Sequence, residues 1–226
     1  MNIKKDTYWR KILFFDNFFI KKLYQNRIKI DKILKNELLL QSTTTILDVG
    51  TAPSIEEFEN VFIQNNEWKN NITVLSNVNC NILKKKFPNI NVLIGDGLDS
   101  SLSDNSFDLV HSSATIEHVG NEENQINFIK ECVRLSKKKV AIITPNRNFF
   151  MDFHTKIPLL HLLPKNFHRK LLKLLGDKFF SLEENLNLLN SKDLKKFCEF
   201  LDIKKYKITY NYFMFMKSNI ILIAEK

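Results

Sequence analysis

The stretch Thr45-Ile46-Leu47-Asp48-Val49-Gly50-Thr51-Ala52-Pro53-Ser54 constrains this chain most, because it reads as a buried strand that ends in an acid and a glycine turn. A second short apolar run, Val92-Leu93-Ile94, ends in Gly95-Asp96-Gly97, and Ser106-Phe107-Asp108-Leu109-Val110-His111-Ser112-Ser113-Ala114 follows it. Such runs alternate with helical patterns, at 45–48, 72–75, 92–94, 109–112 and 140–144, with two closing strands at 205–210 and 219–224. This alternation predicts an α/β fold, a doubly wound and mostly parallel sheet with crossover helices. In an open sheet of that kind ligands bind beyond the carboxyl ends of the strands, so polar residues that close successive runs converge on one crevice. Three strand ends with small or acidic residues predict one nucleotide-like cofactor there.

At 226 residues the chain is long enough to bury a substantial core. Its 34 lysines and arginines against 25 acids give a formal charge of +9, which would suit nucleic acid, an anionic membrane or an acidic small molecule. The lysines are spread over the whole chain, however, and form no dense basic block, so nucleic acid is not an expected partner. Cys80, Cys132 and Cys198 lie far apart and form no C-x-x-C pair, which points to a reducing, cytoplasmic setting and to neither a disulfide framework nor a cysteine-held zinc. Asp16, Lys21 and Lys22 break the apolar character of the N-terminal region, and no run approaches the roughly 20 apolar residues of a membrane span.

Within residues 6–40, Ile12, Phe15, Phe19 and Leu23, then Ile30, Ile33, Leu34 and Leu38 recur at helical steps, predicting two lead helices in a lead or lid over 1–42. Trp9, Phe14, Phe15, Phe18 and Phe19 among lysines suit core packing or a substrate lid; peripheral membrane contact is the less favoured alternative. The main domain is assigned to 43–226. Its clearest helix is capped by Asn121, has Glu122 and Glu123 in the first turn, buries Ile126, Ile129, Cys132 and Val133, and ends in Lys137-Lys138-Lys139. Residues 145–190 break the rhythm with Pro158, Pro164 and Gly176 and predict a helical insertion after the fifth strand that covers a substrate. A further helix starts at Ser191, as its cap.

Gly50 allows a tight turn and close backbone approach to a ligand. Ala52 and Ser54 stand where a dinucleotide fingerprint has its further glycines, with Pro53 between them, so a pyrophosphate would find few free amides. Leu47-Asp48-Val49-Gly50, Gly95-Asp96-Gly97, Asp104-Asn105-Ser106-Phe107-Asp108-Leu109-Val110 and Ile116-Glu117-His118-Val119, in this order and spacing, resemble the class I S-adenosylmethionine-dependent methyltransferases, closest to their small-molecule, type 11-like branch. The resemblance spans about 43–145 and implies a Rossmann-like seven-stranded sheet with S-adenosyl-L-methionine as cofactor. It implies that Asp48 and Gly50 contact the methionine part, with Thr51 and Ala52 forming the turn, and that Asp96 accepts from the adenine amino group while Gly97 or Leu98 offers an amide. Ser113 would line the same crevice. Where the family usually has an acid gripping both ribose hydroxyls, this chain has Asn77, which offers one carbonyl acceptor and a donor.

His118 follows the fourth strand at the lip where the methyl group would sit and is the candidate base, since an imidazole takes a proton near neutral pH. Glu117, Asn146, Arg147, His154 and His161 are candidate substrate contacts. His154, His161 and His168 recur at seven-residue steps, but the prolines between them and the absence of an accompanying acid cluster predict no metal. The expected reaction is methyl transfer to a hydroxyl or similar group of a small molecule, a sugar or a lipid-linked intermediate being compatible, by a monomer or homodimer. Two alternatives stand beside it. One is a methyltransferase-fold scaffold that has lost catalysis, as Ala52, Pro53 and Asn77 would allow; the less favoured is a nucleic-acid methyltransferase, whose common Asn-Pro-Pro-Tyr type motif is replaced here by Ser112-Ser113-Ala114-Thr115.

Overall fold

The computed structural model describes residues 16–67 and 69–226. Trp9, Ile12, Phe14 and Phe15 lie outside the described residues, as do the side chains of Phe18 and Phe19. The elements run α1 Asp16–Leu38, β1 Ile46–Val49, α2 Val61–Asn65, β2 Ile72–Ser76, β3 Asn91–Ile94, β4 Phe107–Ser113, α3 Glu122–Leu135, β5 Ser136–Pro145, α4 Lys165–Leu174, α5 Ser191–Phe200, β6 Lys205–Phe213 and β7 Met216–Glu225. They build one seven-stranded sheet in the order β3-β2-β1-β4-β5-β7-β6. The first five strands are parallel, while β7 runs antiparallel to both β5 and β6. The doubly wound, mostly parallel sheet expected from the alternation is therefore the observed one.

Successive side chains of a strand point to opposite faces, and the core divides accordingly. Leu47, Val49, Val110, Val140, Ile142 and Leu222 face Phe128, Ile129 and Cys132 of α3 and Leu194 and Phe197 of α5. Ile46, Ile72, Val74, Leu109, Ala141 and Ile221 face Ile30, Leu34 and Leu38 of α1 and Phe62 and Ile63 of α2. The runs are continuously apolar because both faces are covered.

Four local expectations are corrected. The two lead helices are, over the described residues, one uninterrupted helix, since no residue between Leu23 and Ile30 breaks the ladder and its apolar stripe meets one sheet face. The lysines at 137–139 belong to β5, which begins directly after α3, and Lys138 lies 2.9 Å from Asp108 across the sheet. The cap of α5 is Asn190, one residue earlier than Ser191, in a capping box with Asp193. Between β2 and β3 the crossover is a 3-10 turn, Asn81–Lys85, in place of an α-helix, started where Asn79 Oδ1 accepts from the Asn81 amide. Asn121 does cap α3, accepting from the Asn124 amide at 2.9 Å.

Two devices position the loops that matter. Glu131 of α3 accepts from the Ser100 amide and hydroxyl at 2.9 and 2.8 Å and from Arg134, which also reaches the Leu102 carbonyl, so α3 anchors the loop leaving β3. The insertion expected at 145–190 is pinched at its neck, where the Arg147 amide donates to Leu189 and the Asn146 amide to Ser218. Its own core is Leu172, Phe180, Leu186 and Leu188. It docks on the segment after β4 through Asn187, whose amide donates to the Glu117 carbonyl at 2.7 Å and whose side chain donates to Gly120 at 2.9 Å.

Candidate active site

The strand order reverses beside β1, so β1 and β4 diverge there and their carboxyl ends open the crevice an α/β sheet offers to ligands. Gly50 turns the chain out of β1 with φ +83°, a conformation that favours glycine. A Cβ at Gly50 would stand 2.2 Å from Thr115 Oγ1, so the loop after β4 packs directly against the turn after β1. Asp48 is buried and committed: one carboxylate oxygen accepts from the Thr51 hydroxyl, and the other pairs with Nδ1 of His111 on β4. Asp48 thus braces the turn and ties two strands together, and Thr51 is held by it. His111, stacked on Phe62 with ring centroids 3.9 Å apart, was not singled out in the sequence, where it reads as one more residue of an apolar strand.

The ends of β2 and β3 are more open. Ser76 and Ile94 are in register, so Asn77 and Gly95-Asp96 leave adjacent strands side by side. Asn77, Asp96 and Ala52 are exposed, and so is Ser113 at the end of β4. Asp96 Oδ1 accepts from the Leu98 amide at 2.9 Å, so that amide serves the loop. Gly97 is a glycine for packing reasons too: a Cβ there would meet Val49 at 3.0 Å and Phe128 at 3.2 Å. An exposed carboxylate thus stands beside an exposed amide side chain and a glycine turn at the ends of two neighbouring strands.

The other side of the crevice is closed and polar. The His118 amide donates to the Thr115 carbonyl at 2.8 Å, which fixes His118 one turn beyond the residue that contacts Gly50. Its Nδ1 lies 2.6 Å from the Asn185 carbonyl of the insertion, and its Nε2 lies 3.1 Å from Nε2 of His154. His154 Nδ1 is held at 2.8 Å by Asp152, which also accepts from the His154 amide and from the amide and hydroxyl of Thr155. Glu117 is fully buried; Oε2 accepts from Thr144 at 3.0 Å, while Oε1, 4.0 Å from His154 Nε2, has no hydrogen-bond partner. Phe180 closes over the His154 ring edge-on.

Burial, then the neighbouring His154 charge, pushes His118 down to about 3. Burial works against charge at His154 as well, but the Asp152 carboxylate outweighs it and holds His154 above the ordinary histidine value. Burial would raise Asp152, yet the His154 charge and hydrogen bonds hold it below the usual carboxylate range. Burial dominates at Glu117 and raises it.

The structure thus brings Glu117, His118 and His154 together and adds Asp152, which the sequence reading missed; its only local signal is the Asp-x-His-Thr spacing of an Asx turn. It does not add Asn146, Arg147 or His161 to that group. Asn146 spends its side chain on Lys217 and Asn148, and Arg147 donates to the carbonyls of His161 and Leu163. His161 is buried and donates from Nε2 to Phe149 at 2.7 Å. These three hold the insertion in shape.

Strand order and crevice define the fold of the S-adenosylmethionine-dependent methyltransferases. Residues 67–144 match the family model described as methyltransferase domain. The fold is shared with a S-adenosylmethionine-dependent methyltransferase of Thermotoga maritima, 15% identical over 94% of this chain and 96% of that one with a TM-score of 0.57. Similar structures are methyltransferases of Archaeoglobus fulgidus, at 15% identity over 93% and 99% with TM-score 0.56, and of Aquifex aeolicus, at 16% over 90% and 90% with TM-score 0.58. No curated protein matches the chain by sequence. The chain thus carries, at 67–144, a stretch that matches a methyltransferase domain, within a sheet that has the fold of the S-adenosylmethionine-dependent methyltransferases. Among the described residues no helix is long and apolar enough to cross a membrane.

Proposed function

We propose that the chain methylates an oxygen of a small-molecule acceptor held between the loop after β4 and the insertion at 145–190, which serves as substrate cover. The observation that carries this reading is the position of His118: its backbone is bonded to Thr115, which packs on the Gly50 turn, and its ring is held by Asn185 of the insertion. The group nearest the methyl end and the cover over the acceptor therefore meet at one residue. S-adenosylmethionine supplies an electrophilic methyl on a sulfonium. The chain's own task is to align the acceptor oxygen with that carbon, exclude water and take up one proton, and alignment of this kind supplies much of the rate. Asp96, Asn77 and the Gly97 amide bind the adenosine portion, and the Asp48–Thr51 pair keeps the Gly50 turn in shape. The carbon–sulfur bond breaks as the oxygen–carbon bond forms, and the acceptor's proton is received by the Glu117–His118–His154 cluster.

The test is calorimetric titration with S-adenosylmethionine and S-adenosylhomocysteine, followed by mass spectrometry of hydroxylated sugars and metabolites incubated with the cofactor. Saturable binding in the wild type and in His118→Ala, with a methyl mass increment formed by the wild type alone, supports the proposal. Product formed equally well by His118→Ala would overturn the assigned site.

A further inference from the structure

The arrangement of His118 and His154 poses a problem of protons. His118 Nδ1 faces a backbone carbonyl and His154 Nδ1 faces a carboxylate; both partners only accept, so both rings carry their proton on Nδ1. Each neutral ring then presents a lone pair on Nε2, and these two nitrogens face each other at 3.1 Å. The buried Oε1 of Glu117, with no donor, is a third lone-pair atom nearby, and one donor atom from each of the three residues lies within 4.8 Å of the other two. Facing lone pairs in a buried site repel unless a cation lies between them, either the extra proton of a charged His154 or a metal ion.

We propose that Glu117, His118 and His154 bind a divalent first-row transition ion of the zinc class. Two imidazole nitrogens and one carboxylate oxygen are the donor types such ions take, at bond lengths of about 2.0–2.2 Å, which set neighbouring donors roughly 3–4 Å apart. The separations of 3.1 Å between the two nitrogens and 4.0 Å from His154 Nε2 to Glu117 Oε1 match that spacing. The outer partners are those of a histidine metal site. Asp152 orients His154 as a carboxylate–histidine pair, Asn185 orients His118, and Thr144 fixes the other Glu117 oxygen. Phe180 provides an apolar wall. Three protein ligands leave a fourth position open, as in catalytic sites of this ion class, and the half-buried His118 marks the side from which an oxygen ligand can enter. The histidine spacing had predicted no metal because it counted His161 and His168, which lie elsewhere, and could not see the Glu117 carboxylate beside His154. The inference does not rest on the proposed function, since ion binding uses none of the cofactor contacts, but it revises one step of it: with an ion bound the three residues hold the ion, and the acceptor's proton leaves to solvent in place of the cluster.

The test uses the full chain freed of any polyhistidine tag and treated with a chelator. Titration with Co²⁺ is followed by its visible d–d absorption, and Zn²⁺ is then added in competition. The expected result is one equivalent bound with micromolar or tighter affinity and displaced by Zn²⁺, with affinity falling at least 100-fold in His154→Ala and in the near-isosteric Glu117→Gln, and about 10- to 100-fold in Asp152→Asn. Circular dichroism and S-adenosylhomocysteine binding check that each variant is folded. No stoichiometric ion in the wild type, or undiminished binding in folded His154→Ala and Glu117→Gln, would overturn the proposal and leave a shared proton between the two rings. A chain that binds Co²⁺ but no S-adenosylhomocysteine would overturn the functional reading alone.

Discussion

The two walls of the crevice are built on opposite terms. On the side proposed for the adenosine, Asn77 and Asp96 stand exposed at the ends of β2 and β3, with one carboxylate oxygen of Asp96 tied only to its own loop. On the side proposed for the acceptor, Glu117, Asp152 and His154 are buried in a network that joins β5, the loop after β4 and the insertion. A polar group left in water loses little when its ligand is absent, whereas a buried one must be partnered within the fold. The first wall can therefore wait for a cofactor, while the second has to be assembled as the protein folds. Mutation on the acceptor side should cost stability, and mutation on the adenosine side should cost binding only.

Asp152→Ala tests that contrast hardest. Removing the carboxylate leaves a buried imidazole without its counter-charge and four donors without an acceptor, a loss of about 3–5 kcal/mol in denaturant unfolding. A change under about 1 kcal/mol would show that the acceptor wall is not built on this network. Gly50→Ala comes next, because its Cβ would meet Thr115 Oγ1 at 2.2 Å and its backbone would be held at φ +83°. Overpacking of this kind costs about 1–3 kcal/mol, with about 1–2 more for the left-handed backbone. The double variant Gly50→Ala/Thr115→Gly should recover the packing part, and equal stability of single and double variants would refute the contact.

Asp96→Ala sharpens the other half of the comparison. Loss of one charge-assisted hydrogen bond, about 1.5–3 kcal/mol, weakens S-adenosylhomocysteine roughly 10- to 150-fold by calorimetry, with the melting temperature of the free protein unchanged. Asp108 gives the smallest effect. Its carboxylate accepts from the Thr45 amide and hydroxyl and pairs with Lys138, and these hydrogen bonds hold it down at about 2 against an ordinary 3.8. A carboxyl depressed in the folded state stabilises above its unfolded value and loses that contribution as the pH falls from near 4 toward 2. Unfolding midpoints measured across that window should drop less steeply in Asp108→Asn than in the wild type.

The same contrast explains what could be read from the residues alone. Leu47, Val110 and Ile142 are apolar because both faces of the sheet are covered, and Gly50, Asp96 and Asn121 mark ends of elements; each signal is local, carried within a few residues. The helix division at the N-terminus and the cap at Ser191 missed by small margins because a stripe of apolar residues does not say where a hydrogen-bond ladder stops. Arg147 and His161 drew attention as polar residues in an irregular segment, yet they shape that segment internally.

Sequence alone determined the order of strands and helices, the crevice at their carboxyl ends and the resemblance to a methyltransferase, since periodicity and turn chemistry are properties of neighbouring residues. Only the tertiary structure decided that Asp48 would face His111 across two strands, and that His118, Glu117 and His154 would bring three lone pairs together. His118 and His154 are 36 positions apart, and their meeting depends on how the insertion docks, through Asn185 and Asn187, on the segment after β4. Contacts of that kind are set by the packing of whole elements, which no short window of residues contains.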